Sequence, residues 1–326
     1  MKILFFTDTH IRGTNPKNRV DDFTRTLENK LNEIIFLIDD LEIDYVIHGG
    51  DLFDRPDLSV SVVSNFARIL KKVKVPFYIV CGNHDIFGHN PKTIDRTMLG
   101  LLSSLDFMEI IKEDEAKILR KNGLKVHLTG QPYVYDIDSD FKGKYILEDI
   151  NEGMDFSIHV VHGMLLDRPF VKGIPFTLID DIKQTKADIT LSGHYHAGFK
   201  TQLIDGKYFI NPGSLARVTN SLEEISRTPK VVLIELNKSI TINLIELKSA
   251  EKGDKVLNRD EIEKHIFKGE QLSQFKQIVE SSSNFEKMDI NDLLIEVSSS
   301  EGISSEIKEE ALRRIAEIHM KDTRWY

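Results

Sequence analysis

Three short apolar runs, Lys2–Phe6, Asp44–His48 and Pro76–Cys81, alternate with two stretches whose apolar residues recur at helical spacing. The first helix reads from Phe23, Leu27, Leu31, Ile34, Ile35, Ile38 and Leu41, and the second from Leu58, Val62, Val63, Phe66, Leu70 and Val73. Continuous apolar strands suit a sheet buried on both faces, and strand–helix alternation is how parallel strands are connected. The order therefore predicts an open α/β sheet, which places ligands in the crevice beyond its strand C-termini. Thr93–Leu105 reads as another helix. Further strands are expected at Leu124–Thr129, Phe156–Val161, Ile189–Leu191, Lys207–Ile210, Val231–Leu236 and Ile240–Ile245, so the second half is richer in β-meander signals.

Polar stretches sit where those strands end: Asp8-Thr9-His10, Gly50-Asp51, Gly82-Asn83-His84-Asp85, His162-Gly163 and Gly193-His194-Tyr195-His196. Singly each is weak, since Gly-Asn-His-Asp is also an ordinary turn. Together they place five of eleven histidines at strand ends, beside Asp8, Asp51 and Asn83. Nitrogen and oxygen donors without a thiolate suit manganese, iron or zinc, and argue against a structural thiolate zinc site. One ion takes at most about six ligands, and roughly that many donors and more converge here, which favours two ions. A carboxylate at Asp51, after Gly49-Gly50, can bridge such a pair and help make hydroxide available at neutral pH. His48 and His159 lie inside strands and read as core residues. Cys81 reads as a small buried apolar residue.

The series D-x-H, G-D, G-N-H-D, H-G and G-H-x-H resembles the calcineurin-like metallophosphoesterase superfamily over residues 1 to about 245. The resemblance implies a two-sheet α/β sandwich with helices on its outer faces and a small C-terminal α/β capping domain. It implies that Asp8, His10 and His196 hold one ion, that Asn83, His162 and His194 hold the other, and that Asp51 bridges them. His84 is then the non-ligand histidine that stabilises the transition state or protonates the leaving oxygen. Asp85 either orients His84 or caps a helix. Gly49–Pro56, with its G-D-L-F-D core, and Asn211–Arg217, with P-G-S, are similar to segments of SbcD-type DNA-repair nucleases. Asp54 stands where archaeal and eukaryotic relatives carry a second histidine, as in bacterial and phage relatives. The implied reaction is hydrolysis of DNA phosphodiesters by attack of a metal-bridging hydroxide. The implied cofactors are two divalent ions, manganese first. The implied partners are DNA, a second copy paired through helices near Leu58–Val73 and Thr93–Leu105, and an SbcC-type ATPase.

Other readings stay open beside this one: a phosphodiesterase for a small nucleotide substrate, a protein phosphatase, or a metal-free scaffold. Arg12, Arg55 and Arg217, with Lys17, Arg19 and Arg168, follow site loops and are either phosphate contacts or plain surface charges. The 43 Lys and Arg against 52 Asp and Glu give −9, which disfavours a lone high-affinity nucleic-acid binder. One cysteine fits a reducing compartment, and neither a signal-peptide core nor a spanning stretch is seen, so a cytoplasmic protein without membrane contact is expected. Near residue 250 acids begin to outnumber bases and glycine becomes rare. This sets a dimetal domain over 1–250 and a small capping or partner-docking domain over 251–326. In the latter, helices are expected at Asn258–Phe267, Gln271–Val279 and Glu306–Met320, a strand at Leu293–Val297, and an end at Trp325-Tyr326 that packs or docks a partner.

Overall fold

The computed structural model describes residues 1–139, 142–170, 173–258 and Phe267. Lys2–Phe6 (β1), Tyr45–His48 (β2), Phe77–Ile79 (β3) and Glu109–Ile110 (β4) run parallel in one sheet. Phe23–Asp40 (α1) and Val60–Leu70 (α2) are the crossovers between its first three strands. Asp22 caps α1 by accepting from the Arg25 N–H, and Leu27, Leu31, Ile34 and Ile38 form its buried stripe. The second sheet holds Ala116–Lys121 (β5), Leu124–Gln131 (β6), Phe156–Val161 (β7), Ile189–Ser192 (β10), Phe199–Ile204 (β11) and Lys207–Asn211 (β12). Leu165–Leu166 (β8) and Thr177–Leu178 (β9) pair separately, and Lys230–Leu236 (β13) and Ile240–Glu246 (β14) return antiparallel to complete the first sheet. The orders are β14-β13-β1-β2-β3-β4 and β11-β12-β10-β7-β6-β5.

Strand alternation sorts the core into layers. Ile3 and Phe5 of β1 face the second sheet, where they meet Val126, Leu128, Ile158, Val160 and Leu191. Leu4 and Phe6 face the other way, onto the helices, with Phe23, Leu27, Phe66 and Leu99. Both faces of β1 are thus covered, as its unbroken apolar run requires. The outer face of the second sheet is covered by Ile137, Tyr145, Ile179 and Ile182.

Several features depart from the expected elements. Thr93–Leu105 is not one helix: a 3-10 turn at Pro91–Arg96 stops at Thr97 (φ −111°, ψ 166°), and Met98–Ser104 (α3) starts afresh. The Thr97 hydroxyl accepts from the Gly100 N–H, so a residue that reads as helix interior is an N-cap. Strands β5 and β11, like the two-residue β4, β8 and β9, are not among the expected strands. They edge the second sheet, and with Leu119 the single buried residue of β5, neither has the apolar face that marks an interior strand. Among the described residues, no helix is long and apolar enough to cross a membrane.

The described residues belong to a compact unit, Met1–Ile262, apart from Phe267. Residues 251–258 pack onto that unit through Val256 and Leu257 against Ile225. The rest of the expected 251–326 domain, with its helices, its strand and Trp325-Tyr326, lies outside the described residues.

Candidate metal centre

All five polar stretches follow parallel strands β1, β2, β3, β7 and β10, at the C-terminal ends of the two sheets. Backbone bonds fasten the loops to one another. The Asp8 N–H donates to the Gly50 carbonyl (3.1 Å), the His10 N–H to the Asp51 carbonyl (3.0 Å) and the Ile11 N–H to the Leu52 carbonyl (2.9 Å). Asn211 Nδ2 donates to the Tyr195 carbonyl (3.1 Å) and the Ser214 N–H to the His196 carbonyl (2.9 Å). The N-P-G-S segment therefore positions the loop that carries His194 and His196. Asn211 is a site residue that sequence reading passed over, though it opens the motif that reading singled out.

The seven expected ligands converge. Asp8, His10 and His196 present donor atoms within 4.8 Å of one another, as do Asp51, His162 and His194. Asn83 Oδ1 lies 3.2 Å from His162 Nε2 and 2.9 Å from His194 Nδ1, joining the second group. Asp51 Oδ2 lies between the groups, 3.8 Å from His10 Nε2 and 3.3 Å from His162 Nε2. It is buried with no hydrogen-bond partner, and so is His10 Nδ1. His10 Nε2 and His196 Nε2 face each other at 3.0 Å. A buried carboxylate oxygen without a donor costs free energy unless a cation completes it. The donor set therefore fits divalent cations.

Electrostatics prepare the same chemistry. Burial would raise Asp8, but the hydrogen bond and charge of His196 hold it below the usual carboxylate range. Burial would raise Asp51 too, and the neighbouring His162 overrides it. Burial, then His196, pushes His10 down to about 3, and burial, then His162, pushes His194 to about 4, so both imidazoles are neutral and ready to ligate. Burial alone would lower His162, yet Asp51 beside it lifts it to about 9. A site that retains a proton this strongly is one that seeks positive charge.

Glycine is required twice where the loops crowd. A Cβ on Gly82 would strike the Asp51 carboxylate and amide, and Gly50 adopts φ 100° with its Cα facing the His162 ring.

The remaining expected residues are placed as follows. The His84 N–H donates to Asp51 Oδ1 (2.8 Å), and its ring Nδ1 donates to the Asp54 carbonyl (2.8 Å). Only a nitrogen that carries hydrogen can donate to a carbonyl, so Nδ1 is protonated and Nε2 is the free end of an exposed ring. His84 also forms a donor group with His10 and Asp51. Asp85 does not reach His84. It is fully buried and accepts from the N–H groups of Gly82 (3.0 Å), Phe53 (3.0 Å) and Leu52 (3.4 Å), clamping the β3 loop to the β2 loop. Arg12 and Arg55 line one cleft of about 260 Å³ beside Asp54, and Arg12 pairs with Asp54 at 3.2 Å. Arg217 is no substrate contact. It is 2% exposed and donates to the carbonyls of Glu251 and Arg227, within a buried group that includes Arg19 and Glu224.

The family model described as "Calcineurin-like phosphoesterase" matches residues 1–198, which carry every residue of both donor groups. The chain is 25% identical over 210 residues to "DNA double-strand break repair protein Mre11" of Methanosarcina mazei, covering 60% of this chain and 30% of that relative. It is 32% identical over 91 residues to the protein of the same name from Methanococcus maripaludis, covering 26% of this chain and 23% of the relative. The match thus spans less than a third of either relative's length. The solved structure of TT1561 of Thermus thermophilus aligns at TM-score 0.44 and 14% identity, covering 74% of this chain and 98% of that one. With the family model over more than half its length, the chain belongs to the calcineurin-like phosphoesterases, a family of divalent-metal-dependent hydrolases.

Proposed function

We propose that this chain is a two-metal phosphodiesterase acting on DNA, the nuclease subunit of an SbcCD-like repair complex. The observation that carries the reading is the buried, unpartnered Asp51 Oδ2 lying between two donor groups. Asp8, His10 and His196 would hold one ion, Asn83, His162 and His194 the other, with Asp51 shared. The bound ions would supply Lewis acidity toward the phosphate and a water acidic enough to ionise near neutral pH. Nitrogen and oxygen donors without thiolate suit manganese.

The chain's own residues do the rest. The Asp54 carbonyl keeps the His84 ring aimed by accepting from Nδ1, and Nε2 takes a proton from solvent to form the imidazolium and gives it to the departing oxygen. Asp85 keeps the β2 and β3 loops in register, so Asp51 and Asn83 stay opposed. Arg12 and Arg55 offer charge to the flanking phosphates from their shared cleft. The choice of DNA rests on the Gly49–Pro56 and Asn211–Arg217 segments and on the relatives whose names include DNA double-strand break repair. Val60, Leu101 and Leu105 are exposed apolar side chains on or beside α2 and α3 and support pairing with a second copy there. A single buried cysteine supports a reducing, cytoplasmic setting.

One observation favours a smaller phosphodiester: with Arg217 turned inward, the cleft beside Asp54 holds two cations. The test is a manganese-dependent assay on linear and circular DNA beside bis(p-nitrophenyl) phosphate, with and without an ATPase encoded next door. Cleavage of DNA is expected. Hydrolysis of the small ester with DNA left intact in both settings would select the small-nucleotide reading.

A further inference from the structure

A line of rings leaves the metal centre on one side. The ring centroids of His162 and His194 are 5.2 Å apart, His194 and Tyr133 5.7 Å, Tyr133 and His89 5.4 Å, and His89 and Tyr135 6.3 Å, with the last two pairs turned by 55° and 84°, so that each ring presents its own face. The inner two belong to the donor groups; the outer three have no part in holding a cation. The series starts half-buried at Tyr133 and ends at Tyr135, which is 67% exposed. A large ring so exposed, at the outer end of a series that begins at the donor groups, offers a π-face to a ligand.

The rings are held in place by backbone. The Tyr133 N–H donates to the Cys81 carbonyl (2.9 Å), which fixes it to the end of β3, and its hydroxyl lies 3.3 Å from His89 Nδ1. Gly88 and His89 both take left-handed backbone, φ 57° each, in a turn closed by the Asn90 N–H on the Phe87 carbonyl (3.1 Å). A left-handed histidine is uncommon and marks an imposed conformation. The charged group next to the outer ring is an acid, Asp136, so the strip does not suit a phosphate. What remains is recognition by π-faces.

We propose that Tyr133, His89 and Tyr135 form a stacking ledge for an unpaired nucleobase next to the phosphate being cut, making single strands or frayed ends the preferred substrate. The inference rests on the DNA phosphodiesterase reading above. A base inside a duplex already has both faces covered, so only a splayed base can use such a ledge. Stacking on an aromatic side chain is tolerant of sequence because every base has a π-face. The ledge thus selects strand state and leaves sequence open, and it begins one ring away from His194, within about one or two nucleotides of the centre at ~3.4 Å per stacked step.

The test compares an intact short single strand with one carrying a single abasic residue, scanned along its length. Binding is read by fluorescence anisotropy of the full chain in EDTA, and cleavage is read in manganese. At the position that meets the ledge, the wild type should bind the intact strand about tenfold tighter than the abasic one. The double variant His89→Asn, Tyr135→Ala, which leaves only Tyr133 of the three rings, should lower that ratio severalfold. Asparagine tolerates the left-handed backbone, so misfolding does not cloud the result, and Tyr133→Phe should keep the full ratio. A wild-type ratio near one at every position, with DNA still cleaved, sinks the ledge alone. So does a tenfold ratio that survives the double variant. If the wild type hydrolyses bis(p-nitrophenyl) phosphate but neither binds nor cuts any strand, the nuclease reading fails and the ledge with it.

Discussion

Asp8, His10, Asp51 and His194 hold left-handed backbone, with φ of 52°, 46°, 54° and 71°. Each such non-glycine residue costs on the order of 1–3 kcal/mol, and four in one centre mean that surrounding bonds over-determine the shape. Those bonds are on view: the Asp8 carboxylate accepts from the Thr7 hydroxyl (2.7 Å) and the His194 N–H (3.1 Å), and Asp51 accepts from the His84 N–H. The protein's own groups thus hold the donor atoms in place. His84 differs from its neighbours in being exposed, while its ring, like that of His162, is fixed by a carbonyl. Replacing it with alanine should cut the rate by ~10²–10⁴-fold. Metal analysis of His84→Ala should still find the wild-type ion content, because its side chain carries none of the seven proposed ligands. A loss of bound ion would make His84 a ligand and end its assignment as proton donor.

Loops, in contrast, are where individual elements meet. Gly82 packs so closely on Asp51 that any Cβ must displace it. Gly82→Ala should therefore lose roughly 1–3 kcal/mol of stability and, with Asp51 displaced by a fraction of an ångström, on the order of 10²-fold in rate. Urea titration and steady-state assays check the two effects, and a variant equal to wild type in both would disprove the crowding. Strand β7 supplies a pH test. The His159 Nε2 donates to the Lys144 carbonyl (3.0 Å) while Nδ1 and the Thr129 hydroxyl lie 2.8 Å apart. Burial pushes it down to about 4, against that backbone bond, whose effect is to raise it. Below an unfolded value near 6.5, the unfolded chain takes a proton that the folded chain refuses. Stability is then full above pH 6.5 and falls toward pH 4, by as much as ~3 kcal/mol. His159→Gln should flatten that part of the urea midpoint-versus-pH curve; parallel curves for both proteins would rule the group out.

These elements also show what the chain discloses in one dimension. The strands β1, β2, β3, β7 and β10 were readable because both faces of each are buried, and every ligand follows one of them. Edge strands β5 and β11 were not, because water covers much of them and their residues look like loop. Thr97 hides a helix start, since a cap is a conformation and threonine also occurs inside helices. Asp85 was expected to orient His84 or cap a helix, and Arg217 to meet phosphate, but Asp85 also accepts from Leu52 and Phe53 and Arg217 donates to Glu251, backbone partners 32 to 34 residues away that no local spacing reveals. Tyr133 and His89 are 44 residues apart and meet only through the fold.

At the scale of the whole molecule, 52 acids against 43 bases make a poor surface for a polyanion. Two of those acids, Asp8 and Asp51, are buried at the centre and face imidazoles, so they belong to cation binding and not to the outer field. Two divalent ions would put +4 where phosphate must sit, and a local field of that size outweighs a distant net charge for chemistry. Grip is another matter, because affinity for nucleic acid grows with the number of phosphates neutralised by side chains. The cleft beside Asp54 supplies Arg12 and Arg55, and Arg12 is already paired with Asp54. Two phosphate contacts predict that log affinity falls with log salt at a slope of roughly −1.4 for single strands and −1.8 for duplex. Anisotropy titrations of this chain alone in EDTA, between ~50 and 200 mM salt, measure that slope directly. A value steeper than about −4 would require a basic surface beyond these two arginines and would remove the need for a partner to supply the grip. A shallow slope that steepens when the ATPase is added would place the electrostatic hold on the partner and leave the cutting, and the choice of an unpaired base, to this chain.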